Sequence, residues 1–107
     1  SANKNLEQIC VVGDGIPQPI VLVVLSKRGK EKSKEDLILS LEKTMEIVNP
    51  KLDSYEKLHN IIVVAEDWTI ENKLLTPTMK IKRNSIEKIY KINYVNWYEG
   101  DRVTLIN

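Results

Sequence analysis

NLEQICVVGDGIPQPIVLVVLS, residues 5–26, holds two apolar runs separated by turn chemistry. Gln8 to Val12 and Ile20 to Ser26 are rich in branched side chains and predict β-strands. Gly13, Asp14 and Gly15 supply the turn between them, and Asp14 is read as serving that turn. Pro17 and Pro19 donate no ladder bond, so their segment predicts a strand entrance and not a strand centre.

Outward from this pair, Lys27 to Lys32 is polar and aperiodic, which predicts a solvated loop. Ser33 is placed as an N-cap, with Asp36 completing a capping-box-like start. Leu37, Ile38, Leu41, Met45 and Val48 follow at helical spacing, and Asn49-Pro50 stops that helix. A shorter helix is expected from Asp53, with Glu56 as capping partner. Ile61 to Ala65 is too continuously apolar to be half-exposed and predicts a central strand.

From Glu66 to Met79 the chain is polar, irregular and broken by Pro77. Asn84 or Ser85 opens a last helix, with Ile86, Ile89 and Tyr90 on one face and Tyr94, Trp97 and Tyr98 prolonging it before Gly100. Arg102 to Ile106 leaves room for a short final strand. Strands separated by helices predict an α+β fold, a small mixed sheet of about three strands packed by helices in one compact domain.

The 107 residues suit one domain with a core of its own. A net charge of +1 argues against a nucleic-acid binder or an anionic-membrane binder. The single cysteine, Cys10, lies in an apolar run and is read as a buried small hydrophobe; one cysteine excludes an internal disulfide and fits a reducing compartment. The longest apolar run, Ile20 to Leu25, is too short to span a bilayer, and no signal peptide is visible. The chain starts at Ser1 and not at methionine, which predicts a piece of a longer product.

Chemistry concentrates in LLTPTMKIKR, residues 74–83, where Lys80, Lys82 and Arg83 follow a Thr-Pro-Thr loop and precede a helix. A cation presented there suits a phosphate or a developing oxyanion. The same three residues also suit a solvated basic surface, and Arg83 a structural partner. His59 has no cysteine, serine or second histidine near it and is read as structural. Glu66 and Asp67 are adjacent and point apart on extended chain, which makes them a poor acid–base pair. Trp68, Tyr90, Tyr94, Trp97 and Tyr98 are read as packing, without the interleaved basic groove of a single-strand binder. There is no P-loop, dinucleotide fingerprint or metal motif.

VVAEDWTIENKLLTPTMKIKRNSIEKIY, residues 63–90, resembles the C-terminal part of long-chain acyl-CoA synthetases, AMP-forming ligases of the adenylate-forming superfamily. The opening strand-turn-strand and the tail YVNWYEGDRVTLIN resemble the same domain, so the likeness covers nearly the whole chain. The resemblance implies that residues 1–107 are a mobile lid on a large N-terminal AMP-binding domain carried by the rest of the protein. Lys80-Ile81-Lys82-Arg83 matches the family's Lys-x-x-Arg pattern, which implies a catalytic role for Lys80 in adenylation. That role does not extend to Lys82; Arg83, which matches the motif's arginine, and Lys82 are the weaker candidates, as substrate or nucleotide contacts.

ATP, a fatty acid and CoA are the implied substrates, with Mg2+ held by the large domain. The implied setting is cytoplasmic, with peripheral membrane association of the parent left open. Two positions depart from the pattern: Met79 stands where many members have glycine, and Lys73 where the long-chain type often does. Alone, the chain is expected to fold and to catalyse nothing. The readings kept beside this one are a ligase for another carboxylic acid, a nucleic-acid-binding module using Lys80, Lys82 and Arg83, and a stand-alone interaction domain.

Overall fold

A computed structural model describes residues 3–106. Four strands form one sheet: β1 (Leu6–Val12), β2 (Ile20–Leu25), β3 (Ile61–Val63) and β4 (Val103–Leu105), in the order β1-β2-β3-β4. The first pair is antiparallel and the other two are parallel, so the sheet is mixed. The expected α+β class holds, and the short last strand brings the sheet to four strands instead of three. Val103 to Leu105 pairs with all of β3, which makes β3 central as its unbroken burial required.

Among the described residues four α-helices accompany the sheet: α1 (Lys27–Lys30), α2 (Lys34–Val48), α3 (Arg83–Tyr90) and α4 (Tyr94–Glu99). On one face of the sheet, α2 lays Leu37, Leu41 and Met45 on Val21, Val23, Ile61, Val63 and Val103. On the other, Ile86, Tyr90 and Tyr94 cover Cys10, Val12, Leu22, Val24, Ile62 and Val64. β2 is therefore buried on both faces, which explains why IVLVVL shows no polar alternation. Toward the sheet edge, Ile9 and Val11 of β1, paired with Val23 and Val21 on the α2 face, remain 41% and 40% exposed. No helix among the described residues is long and apolar enough to cross a membrane.

The start of α2 is as expected: the Ser33 hydroxyl accepts the Asp36 N–H at 3.1 Å. Asp53 and Glu56 do form a capping box, but the helix they open is one 3-10 turn, Ser54–Glu56, and the chain is extended again at Lys57. Lys27 to Lys32 is not a plain loop. Ser26 caps the single turn α1 by accepting from the Gly29 N–H at 3.2 Å, and Gly29 is buried against the first strand's entrance. A Cβ at Gly29 would sit 2.2 Å from the Asn5 carbonyl oxygen. That close backbone approach is a long-range constraint that aperiodic polar residues do not announce.

The last helix begins one residue earlier than expected, at Arg83, and Lys82 stands at its N-cap without a side-chain bond. Asn84 and Ser85 therefore lie inside the first turn. Ile86 and Tyr90 are buried as expected, whereas Ile89 is 48% exposed. The buried line runs along Ile86, Tyr90 and Tyr94, and Ile89 falls beside it. Trp97 and Tyr98 pack partly buried against the same cluster.

Candidate functional site

Residues 66–82 form a knitted loop and hairpin on the α3 side of the sheet. Asn72 organises the first half. Its Oδ1 accepts from the Thr69 N–H (3.0 Å) and the Leu74 N–H (3.2 Å), and its Nδ2 donates to the Asp67 carbonyl (2.9 Å). The Asn72 N–H in turn donates to Thr69 Oγ1 at 3.0 Å. Lys73 then takes φ +67, the left-handed conformation in which glycine is the unstrained residue. Leu74 and Leu75 drop into the core. They moor the hairpin.

The two arms are Leu75 and Ile81, joined in an antiparallel bridge, with the Lys82 N–H donating to the Leu74 carbonyl at 2.9 Å. At the tip the Met79 N–H donates to the Thr76 carbonyl (2.8 Å), and the Thr76 N–H donates to the Lys80 carbonyl (2.7 Å). Pro77, Thr78 and Met79 thus make a three-residue loop, and Met79, at φ +68, fills the left-handed position that such loops place last. Both departures from the resemblance, Lys73 and Met79, fall on left-handed backbone.

Side-chain alternation along the second arm decides what the hairpin presents. Ile81 packs inward against the α3-side core, which sends Lys80 and Lys82 outward to solvent on one side. Neither lysine is in an ion pair: among the described residues those are Lys30 with Asp67, at 2.9 Å, and Lys91 with Asp14. Arg83 goes elsewhere. Its guanidinium donates to the Val11 carbonyl and ties the start of α3 to the end of β1. Of the three predicted site residues, the fold groups Lys80 with Lys82 and turns Arg83 toward the sheet.

The remaining candidates are structural. His59 Nε2 lies 3.0 Å from the Tyr98 carbonyl, and its ring stacks on Tyr98 at 3.8 Å and 15°. Glu66 accepts from the Tyr90 hydroxyl while Asp67 binds Lys30, so the adjacent carboxylates do diverge. Asp14 serves its turn and also takes the Lys91 ammonium. Cys10 is buried, and desolvation pushes its thiol above the ordinary value, against the opposing effect of the Arg83 charge. Among the described residues no group of three His, Cys, Asp or Glu could hold a metal ion. Sequence reasoning passed over Thr76 and Asn72, the two side chains that brace the loop; an Asn ahead of a turn and a Thr before proline were the available signals.

The family model of the AMP-binding enzyme C-terminal domain matches residues 1–102. A peroxisomal acyl-CoA ligase of Penicillium roqueforti (strain FM164), acyl-CoA ligase 891, is 30% identical over 89 residues, covering 83% of this chain and 12% of that protein. The long-chain-fatty-acid–CoA ligase 5 of Mus musculus is 44% identical over 49 residues, 46% of this chain and 7% of that protein. In fold, the chain is similar to an AMP-bound A-PCP didomain of the carboxylic acid reductase from Segniliparus rugosus. The TM-score is 0.70 at 22% identity, over 88% of this chain and 14% of the other. The chain thus spans only a small part of the relatives it matches. Its match to the family model, by contrast, is nearly complete, and the chain belongs to the family of AMP-binding enzyme C-terminal domains.

Proposed function

We propose that this chain is the mobile C-terminal lid of an AMP-forming fatty-acid–CoA ligase, and that Lys80 is the cation it delivers for adenylation. The observation that carries the reading is the hairpin itself. An exposed ammonium without a carboxylate partner stands on a hairpin moored by buried Leu74 and Leu75, in a family defined by AMP-binding enzymes. A long-chain acid is favoured by the similarity to the mouse ligase.

The chemistry needs such a charge. A fatty carboxylate oxygen attacks the α-phosphorus of ATP; the bond to the bridging oxygen breaks, pyrophosphate leaves, and acyl-AMP forms. Two anions must meet, and charge grows on the phosphoryl oxygens in the transition state. An ammonium brought into a closed site of low dielectric offsets that charge far better than one in bulk water. ATP and Mg2+ would be held by the large domain. In the second step the CoA thiolate attacks the acyl carbonyl and AMP leaves. Rotation of the lid between the steps would withdraw Lys80, so the lysine serves the first step alone. Lys82, on the same side of the arm, adds positive potential beside it. Arg83 sets where the arm meets the sheet.

The test is Lys80→Ala in the longer enzyme, with the half-reactions measured separately. Acyl-adenylate formation is expected to fall roughly 10²–10⁴-fold, the range for a lost transition-state charge contact. Thioester formation from supplied acyl-adenylate should be largely spared. Equal losses in both would reject the one-step role.

A further inference from the structure

We propose that Thr76 is a positioning residue for Lys80, acting through its hydroxyl; the inference rests on the reading of Lys80 given above. The hydrogen-bond pattern at the hairpin tip leaves the Lys80 N–H without a backbone acceptor. In a closing pair of an ordinary antiparallel ladder, each residue donates to the other's carbonyl. Here the Thr76 N–H donates to the Lys80 carbonyl at 2.7 Å, but the Thr76 carbonyl is taken by the Met79 N–H at 2.8 Å. The Lys80 N–H turns instead to the Thr76 side chain, Oγ1, at 3.1 Å.

One residue therefore holds Lys80 at both its backbone groups. The same hydroxyl lies 3.1 Å from Thr78 Oγ1, which links the first and second threonines of the Thr-Pro-Thr segment across Pro77. Thr76 is half-buried, while Thr78, Met79 and Lys80 beyond it are exposed, so it is the last anchored residue before the tip. Met79 occupies left-handed backbone without the ease of glycine, which leaves the direction of the next residue dependent on local bonds. Misplacing a reacting group by about 1 Å can cost up to 10²-fold in rate. The hydroxyl is what holds the Lys80 backbone in register for the charge it carries.

Valine keeps the shape and β-branching of Thr76 and removes only the hydroxyl. In the longer enzyme Thr76→Val is expected to lower the rate of acyl-adenylate formation by about 10-fold with KM for ATP little changed, because the loss is felt in the transition state. Thr76→Ser should stay within about 3-fold of wild type, since it keeps the bond. On a Lys80→Ala background Thr76→Val should cost nothing further, a non-additivity expected of a residue acting through Lys80 and not of one that merely stabilises the fold. Should Thr76→Val fail to fold, Thr76→Ala carries the same comparison. Wild-type adenylation by Thr76→Val, or an equal loss with and without Lys80, overturns the positioning role while leaving Lys80 in place. Wild-type adenylation by Lys80→Ala overturns the reading of Lys80 and this inference with it.

Discussion

The Trp68 indole N–H donates to the Tyr90 hydroxyl at 3.1 Å, and that hydroxyl in turn donates to the Glu66 carboxylate. Trp68 is 2% exposed and Tyr90 5%, so one phenol oxygen satisfies a buried donor while its proton reaches a carboxylate at the surface. The relay joins the start of the 66–82 loop to the last residue of α3, and so fixes the base on which the hairpin stands.

Removing that oxygen should be costly. Tyr90→Phe leaves the Trp68 N–H buried without an acceptor, which is expected to destabilise the domain by about 1–3 kcal/mol. Urea unfolding followed by Trp fluorescence measures it. An unchanged midpoint would mean that the indole N–H finds another acceptor.

The same burial sets the response to alkali. Desolvation, then the bond to Glu66, holds the Tyr90 phenol above its ordinary 10.0, opposed by the bond from Trp68. Burial raises Tyr94 likewise, and its hydroxyl has no hydrogen-bond partner among the described residues. Cys10 is raised above 9.0 by burial. The unfolded chain releases these protons near their ordinary values while the folded chain keeps them. The contribution of these groups is therefore full well below their ordinary values and is lost as pH rises through them, first through 9.0 for the thiol and then through 10.0 for the phenols. Urea midpoints at about pH 8 and about pH 11 should show the drop, with a shallower slope in Tyr90→Phe. A rising midpoint would contradict the sign.

Two cations of one motif should separate cleanly in the isolated chain. Arg83→Ala removes the bond to the Val11 carbonyl and is expected to cost about 1 kcal/mol. Lys80→Ala touches no such bond and should stay within about 0.5 kcal/mol of wild type. Chemical denaturation of both variants decides it, and a Lys80→Ala as unstable as Arg83→Ala would mean that the lysine is structurally engaged.

Lys73 and Met79, at φ +67 and +68, are the non-glycine residues on left-handed backbone among the described residues. That conformation costs an L-residue about 1–2 kcal/mol, and glycine returns about 0.5–1 kcal/mol of this through its freer unfolded chain. Lys73→Gly and Met79→Gly should therefore each stabilise by up to about 1 kcal/mol, raising Tm by a few degrees. Met79→Val, branched at Cβ, should lower Tm. Calorimetry on the three variants tests the ordering; a lower Tm in both glycine variants would contradict the strain argument.

Features carried by neighbouring residues were legible in the chain. The α2 stripe and its Ser33 cap, the Asp53–Glu56 box and the two-sided burial of β3 follow from spacing and composition alone. Lys80 stood out because Lys-x-x-Arg is a local pattern. Its outward direction came from the structure, where Ile81 packs on the core and alternation turns its neighbours to solvent. The resemblance marked Met79 and Lys73 as unusual, and only backbone geometry showed that both sit where glycine would be at ease.

What sequence determined by itself is thus the α+β class, the caps at Ser33 and Asp53 and the place of the basic cluster, because these rest on contacts within three or four residues along the chain. Tertiary structure decided the rest. Arg83 meets Val11 across 72 positions, and Gly29 becomes a buried contact because β1 begins beside it. Trp68 finds Tyr90 across 22 positions because both pack on the α3 face of one sheet. Such pairings depend on which faces the strands bring together, and no local pattern carries that information.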